Sequence, residues 1–138
     1  MASIQREIEI SVPASRAWDA LRDVGALHTR LVPGFVADTR LEPGLRVVTF
    51  GNGRVVRERI VGIDEAQRRV AWSVPDEPFQ HHNASAQVFE LAPDRCRFVW
   101  TADVLPDELG GFVAGLIEQG IGVIRATLEN AEGADGES

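Results

Sequence analysis

Residues 45–63 read LRVVTFGNGRVVRERIVGI: two β-rich runs, Leu45–Phe50 and Arg54–Ile63, separated by Gly51-Asn52-Gly53. A run, a glycine–asparagine turn and a second run form a β-hairpin signal, because these residues accept the positive φ that a tight turn demands. So short a gap leaves no room for a crossover helix, so the two strands must be antiparallel. The pattern repeats outward in both directions. Phe35–Leu41 precedes, closed by Glu42-Pro43-Gly44; Arg69–Val74, Phe79–Leu91 and Arg95–Val104 follow. Their breaks, Asp64–Gln67, Pro75–Pro78 and Ala92–Asp94, are equally short. Six consecutive hairpin-linked strands result.

At the N-terminal side, Ile4, Ile8, Ile10 and Val12 share one parity and predict a further strand, ended by Pro13. Ala14, Ala17, Trp18 and Leu21 then recur at helical spacing. Asp23 is placed to cap a second short helix carrying Val24, Leu27, His28 and Leu31. At the C-terminal side, Pro106-Asp107-Glu108 sets a proline and two acids where a helix begins. The helical pattern runs to about Ala131, with Leu109, Phe112, Val113, Leu116, Ile117, Ile121, Ile124 and Leu128 on one half of the wheel. The predicted class is α+β: seven antiparallel strands curled around one long C-terminal helix, with two short helices after the first strand.

The chain has 138 residues, the size of one domain, and its 44% apolar and 25% charged content marks it as globular. The expected organisation is one domain over 1–131 and an acidic, disordered tail over 132–138. No run approaches the apolar length of a membrane span, and the charged N-terminus lacks a signal-peptide pattern, so a cytoplasmic location is expected. The net charge of −7 argues against a nucleic-acid backbone as partner. Arg54, Arg57, Arg59, Arg68 and Arg69 do not change that. Acids interrupt them, no stacking aromatics are interleaved, and they read as a solvated sheet face. All 14 bases are arginine, which excludes Schiff-base and P-loop lysine chemistry. Cys96 stands alone, so there is no disulfide framework. No motif calls for a cofactor. His81 and His82 are adjacent on a strand and cannot chelate one metal together, so no metal site is expected.

Several local motifs, in this order, make the chain resemble the START-like or SRPBCC superfamily, which includes polyketide cyclase/dehydrase-like proteins and birch-pollen allergens. They are Val12–Trp18 with Leu21 and Asp23; Gly44-Leu45-Arg46; Gly53–Arg59 with Asp64; Arg69-Val70-Ala71-Trp72; and Phe98-Val99-Trp100. The resemblance covers about residues 3–131 and implies a helix-grip fold with an apolar cavity between sheet and long helix. It does not imply one activity. The likeness to the plant abscisic-acid receptors is partial. Their gate loop corresponds in position to Phe50–Arg54 and their latch to Pro78–His82, but the residues differ, and their hormone-binding lysine has no counterpart. Hormone binding is therefore not carried over.

Within this frame Glu58 is the first candidate residue. It shares parity with Val56 and Ile60, opposite Arg57 and Arg59. The resemblance favours the concave side for it, where a carboxylate could orient a ligand hydroxyl or act as acid/base. The competing reading is a surface glutamate paired with arginines of a neighbouring strand. One of His81 and His82 can enter the cavity, and His82 is the second acid/base candidate. Trp72, Phe98, Trp100, Phe112, Leu116, Ala84 and Val56 are expected to line it. Gly120, central on the apolar half of the helix, is expected to leave room for ligand. Gly111, Gly115 and Gly122 lie on the outer half, a stripe open to close approach by another chain, such as a homodimer partner. The first functional reading is a carrier or receptor for a small hydrophobic or aromatic molecule. The second is a polyketide cyclase or dehydratase using Glu58 or His82. The third is a partner-binding module.

Overall fold

The computed structural model describes residues 1–137, with side chains through Asn130; the predicted acidic tail, 132–138, lies outside the residues whose side chains are described. Seven strands form one sheet: β1 (Ala2–Ile10), β2 (Val36–Glu42), β3 (Leu45–Phe50), β4 (Val55–Asp64), β5 (Arg69–Ser73), β6 (His81–Ala92) and β7 (Arg95–Leu105). Every pairing is antiparallel and the order is β1-β7-β6-β5-β4-β3-β2. Hairpin neighbours in sequence are neighbours in space, except that β1 crosses to pair with the last strand. The connection between β1 and β2 carries α1 (Ala14–Arg22) and a π-helical turn, Leu27–Leu31. A 3-10 turn, Asp107–Leu109, leads into α2 (Gly110–Glu137).

The sheet bends because three strand pairs carry register shifts, at Val36/Asp38, Ile60/Gly62 and Glu90/Ala92. An extra residue on one strand increases local twist and curls the sheet. The concave face presents Val48, Val70, Trp72, Val88 and Phe98, all buried. Against them α2 lays Val113, Ile117, Ile121, Ile124 and Leu128, spaced three or four apart on one face and likewise buried. This is the α+β helix-grip arrangement expected from the hairpin ladder. By length and composition Asp107–Asn130 could also cross a membrane, but its buried face is the one that packs on the sheet.

α1 closes one end of the groove. Its Trp18 indole N–H and its Arg22 guanidinium each donate to Glu65 in the β4–β5 turn, both at 2.7 Å. The second short helix differs from expectation. Only the π-helical turn forms, and Asp23 does not cap it. The Asp23 carboxylate instead accepts from Arg30 at 3.0 Å, and Arg30 also bonds Asp19. Two carboxylates competing for one guanidinium outweigh a single capping bond. The first strand also ends earlier than predicted, at Ile10, although Val12 is fully buried beyond it.

Candidate functional site

Parity on β4 is as the alternation suggests: Glu58 points inward and is 9% exposed, whereas Val55, Arg57 and Arg59 are exposed. Its partner is Arg46 on β3, directly opposite in register. The Arg46 Nε and Nη2 groups both donate to Glu58 Oε1, at 2.9 and 2.6 Å. Arg46 Nη1 donates to the Val24 carbonyl at 3.4 Å, and the guanidinium lies 5.5 Å from the Trp72 ring centroid. Both competing readings of Glu58 thus contain part of the answer: it faces the groove, and it pairs with an arginine of the neighbouring strand. Glu58 Oε2 has no hydrogen-bond partner among the described residues. Within a largely apolar groove this open acceptor marks a position where a ligand donor is favoured.

Of the two histidines, His82 turns inward and His81 is exposed. The His82 ring stands edge-on to Phe79 at 4.5 Å, and its Nδ1 is buried without a partner. Burial, reinforced by the neighbouring His81, lowers its pKa to about 4. The ring is therefore neutral at pH 7. The unfolded chain binds a proton near pH 6.5 that the folded chain does not bind until about pH 4. Stability is then present above pH 6.5 and falls progressively as the pH drops toward 4. The loss is of order 2 kcal/mol, at one unit per about 1.4 kcal/mol and allowing for partial exposure of the ring. Urea titrations at pH 7 and pH 4.5 should show this loss in the wild type, and a smaller one in His82→Phe. An equal loss in both would assign it elsewhere.

Two connected chambers surround these groups. The inner one, about 100 Å³, lies between sheet and helix and includes Arg46, Glu58, Trp72, His82, Phe98, Trp100 and Leu116 in its lining. The outer one, about 300 Å³, opens at the Gly51–Gly53 turn and is bounded by Val56, Arg54, Phe79, Phe112 and Gln119. Glu58, His82, Leu116, Phe35 and Phe50 line both, so the polar groups sit at the junction. The Phe35 and Phe50 rings meet edge to face at 5.5 Å beside it.

Three expected lining residues are placed differently. Phe112 is not deep in the cavity; it is 44% exposed at the mouth, beneath Arg54. Ala84 is buried in the sheet core between Trp72 and Ala102 and lines neither chamber. The space left by Gly120 is filled: a Cβ there would lie 2.9 Å from Trp100 Cζ3 and 3.3 Å from Phe35 Cε2. The glycine makes room for the Trp100 indole, not directly for a ligand. A Cβ added at the outer glycines 111, 115 or 122 would meet no neighbouring element within 4 Å.

Arg46 stands in the Gly44-Leu45-Arg46 motif, and its link to Glu58 is not visible in that motif alone. A usable signal existed: a hairpin centred on Asn52 places Arg46 opposite Glu58. Leu21, Leu27, Leu31 and Val32, which also line the inner chamber, were not legible. They come from the two short helical segments, whose docking is a tertiary event.

Among the described residues no three His, Cys, Asp or Glu side chains come together as metal ligands. Residues 1–133 match the family described as polyketide cyclase/dehydrase and lipid transport. The chain belongs to this family. With it comes the START-like superfamily expected from the motifs. Among solved structures, a protein from Thermobifida fusca is 28% identical, with a TM-score of 0.78 and coverage of 94% of this chain and 95% of that one. XoxI from Bacillus cereus is 17% identical with a TM-score of 0.84, covering 96% and 99%. The Zhui aromatase/cyclase from Streptomyces is 20% identical with a TM-score of 0.66, covering 94% and 93%. The latter two likenesses establish the fold alone. No curated protein matches the chain by sequence.

Proposed function

We propose that this member of the polyketide cyclase/dehydrase and lipid transport family binds one small, mainly apolar or aromatic molecule in its two chambers, as a carrier or receptor. The observation that carries this reading is Glu58, whose Oε2 has no partner among the described residues, set in a mostly apolar lining. Arg46 cancels the carboxylate's charge but leaves that oxygen able to accept a ligand O–H. His82, neutral and without a partner at Nδ1, offers a second polar contact. Trp72, Phe98, Trp100 and Leu116 supply contact area for rings or chains. A site of this kind discriminates strongly between a hydroxylated molecule and its analogue without the hydroxyl, because the analogue leaves the carboxylate oxygen unpaired.

The test is mass spectrometry of the purified protein under native and denaturing conditions. A discrete added mass that is lost on denaturation is the expected result. A clean protein mass, together with no heat on titration of hydroxylated aromatics such as naphthol, would overturn the reading.

A second reading is favoured by one observation: Glu58 and His82 border the same space. Such a pair suits proton transfer on a carbonyl compound. His82 would take the proton from a carbon flanked by two carbonyls. The resulting enolate would attack another carbonyl of the same molecule, and the proton would return to the new alkoxide. Turnover of a diketide or longer poly-β-ketone, abolished in both Glu58→Gln and His82→Gln, would support this enzyme over a carrier.

A further inference from the structure

The inner chamber has no place for an anion. The Arg46 groups Nε and Nη2 both bond Glu58 Oε1, so the pair leaves no free cation there, and His82 is neutral. The outer chamber is different. Its lining contains one cation, Arg54, and no carboxylate besides the neutralised Glu58. The Arg54 guanidinium stands 5.0 Å from the Phe112 ring centroid, and among the described residues it makes no ion pair. Asp76 and Glu118 are engaged elsewhere, Asp76 with Arg57 at 2.8 Å and Glu118 with Arg6 at 3.0 Å, and the exposed Glu77 does not line the chamber. The Asn52 side-chain oxygen accepts from the Arg54 backbone N–H at 3.0 Å, which leaves the Asn52 amide as a donor. The Gln119 amide, on α2, also borders the chamber and has no partner among the described residues. A cation and two amide donors thus converge on the mouth of a protein whose net charge is −7.

We infer that the ligand is amphiphilic, with an apolar hydroxylated or carbonyl-bearing body in the inner chamber and an anionic end group, carboxylate or phosphate, held at the mouth by Arg54 with Asn52 and Gln119. This rests on the binding reading above and specifies the ligand class. Arg54 is suited to the role. Its guanidinium offers paired N–H donors to a planar or tetrahedral oxyanion, and the Phe112 face limits its motion. Placing the charge at the rim avoids the desolvation that a buried anion would suffer. It also fixes the polarity of entry, body first.

Three probes built on one ring system test this by calorimetry: naphthalenebutyric acid, its methyl ester, and the corresponding naphthylpropyl phosphate. The acid is expected to bind about tenfold tighter than the ester at low salt, an advantage that shrinks as salt rises. In Arg54→Gln the acid-to-ester ratio should fall to about one. The acid against the phosphate distinguishes the two anion chemistries. A dianion favoured severalfold assigns a phosphate end, and equal or weaker binding assigns a carboxylate. Equal affinity of acid and ester in the wild type, while either binds, overturns the mouth assignment and leaves the cavity reading standing. Failure of all three probes and of neutral naphthol overturns both.

Discussion

Replacing Arg46 with methionine is expected to lower the stability of the folded protein by about 3–5 kcal/mol, the largest single effect among the side chains of the site. Methionine matches much of the arginine's volume, so the packing loss is small. What remains is Glu58, with a side chain 11% exposed and its only cation gone. Leaving a buried carboxylate without a partner forces either desolvation of the charge or uptake of a proton. The reciprocal change, Glu58→Gln, leaves Arg46 buried at 4% exposure but keeps an acceptor, so a smaller loss is expected. The double variant Arg46→Met with Glu58→Leu should return to within about 1 kcal/mol of the wild type, because a buried ion pair contributes little net stability over an apolar replacement. It should nevertheless bind hydroxylated ligands weakly. Urea denaturation of these proteins, with Glu58→Leu alone as the fourth corner, gives the cycle. A loss below about 1 kcal/mol in Arg46→Met would show that Glu58 is solvated, and the pair could not then be the polar floor of an apolar cavity.

The second large effect is expected at Gly120. Leucine there improves helix propensity by about 1 kcal/mol but drives its side chain into the Trp100 indole, whose Cζ3 lies 2.9 Å from the would-be Cβ. Overpacking of this kind costs about 1–3 kcal/mol, and here the upper part of that range applies, because Phe35 stands on the adjoining side at 3.3 Å. The inner chamber, which the indole already lines, is open space into which it can be pushed. A chamber of only about 100 Å³ would then be largely filled. Gly120→Leu is thus expected to lose ligand affinity by more than tenfold while remaining folded. Cutting Trp100 back to alanine in the same chain should restore both space and stability, since the leucine then occupies what the indole leaves. Full binding in Gly120→Leu alone would mean that the chambers are not where the ligand sits.

These two positions also separate what was readable from what was not. The alternation on β4 placed Glu58 with Val56 and Ile60, and period two is a local property that tertiary contacts did not alter. The inward set Cys96, Phe98, Trp100 and Ala102 on β7 follows from the same rule, with Cys96, Phe98 and Ala102 buried and Trp100 half-buried. The face of α2 followed from period 3.6, so the apolar half of the helix could be assigned before its partner was known. Gly120 was correctly placed on that half but given the wrong neighbour. Periodicity names a face and says nothing of which side chain stands opposite. Phe112 failed for a related reason. It lies in the first turn of α2 directly before the buried Val113, so its side chain leaves the helix toward the rim while its neighbour enters the core.

The amino-acid order by itself determined the seven-stranded antiparallel ladder, the long helix and the inward carboxylate. Each of these is set by hydrophobic period and turn chemistry within a few neighbouring residues. Only the tertiary structure decided that Arg46 neutralises Glu58 and that His82, not His81, turns inward. It alone decided that the short helical segments close one end of the chambers and that Arg54 stands over the Phe112 ring. Each of these depends on where the bulges bend the sheet and on which elements meet across the groove, so the strand bearing a residue cannot specify its partner.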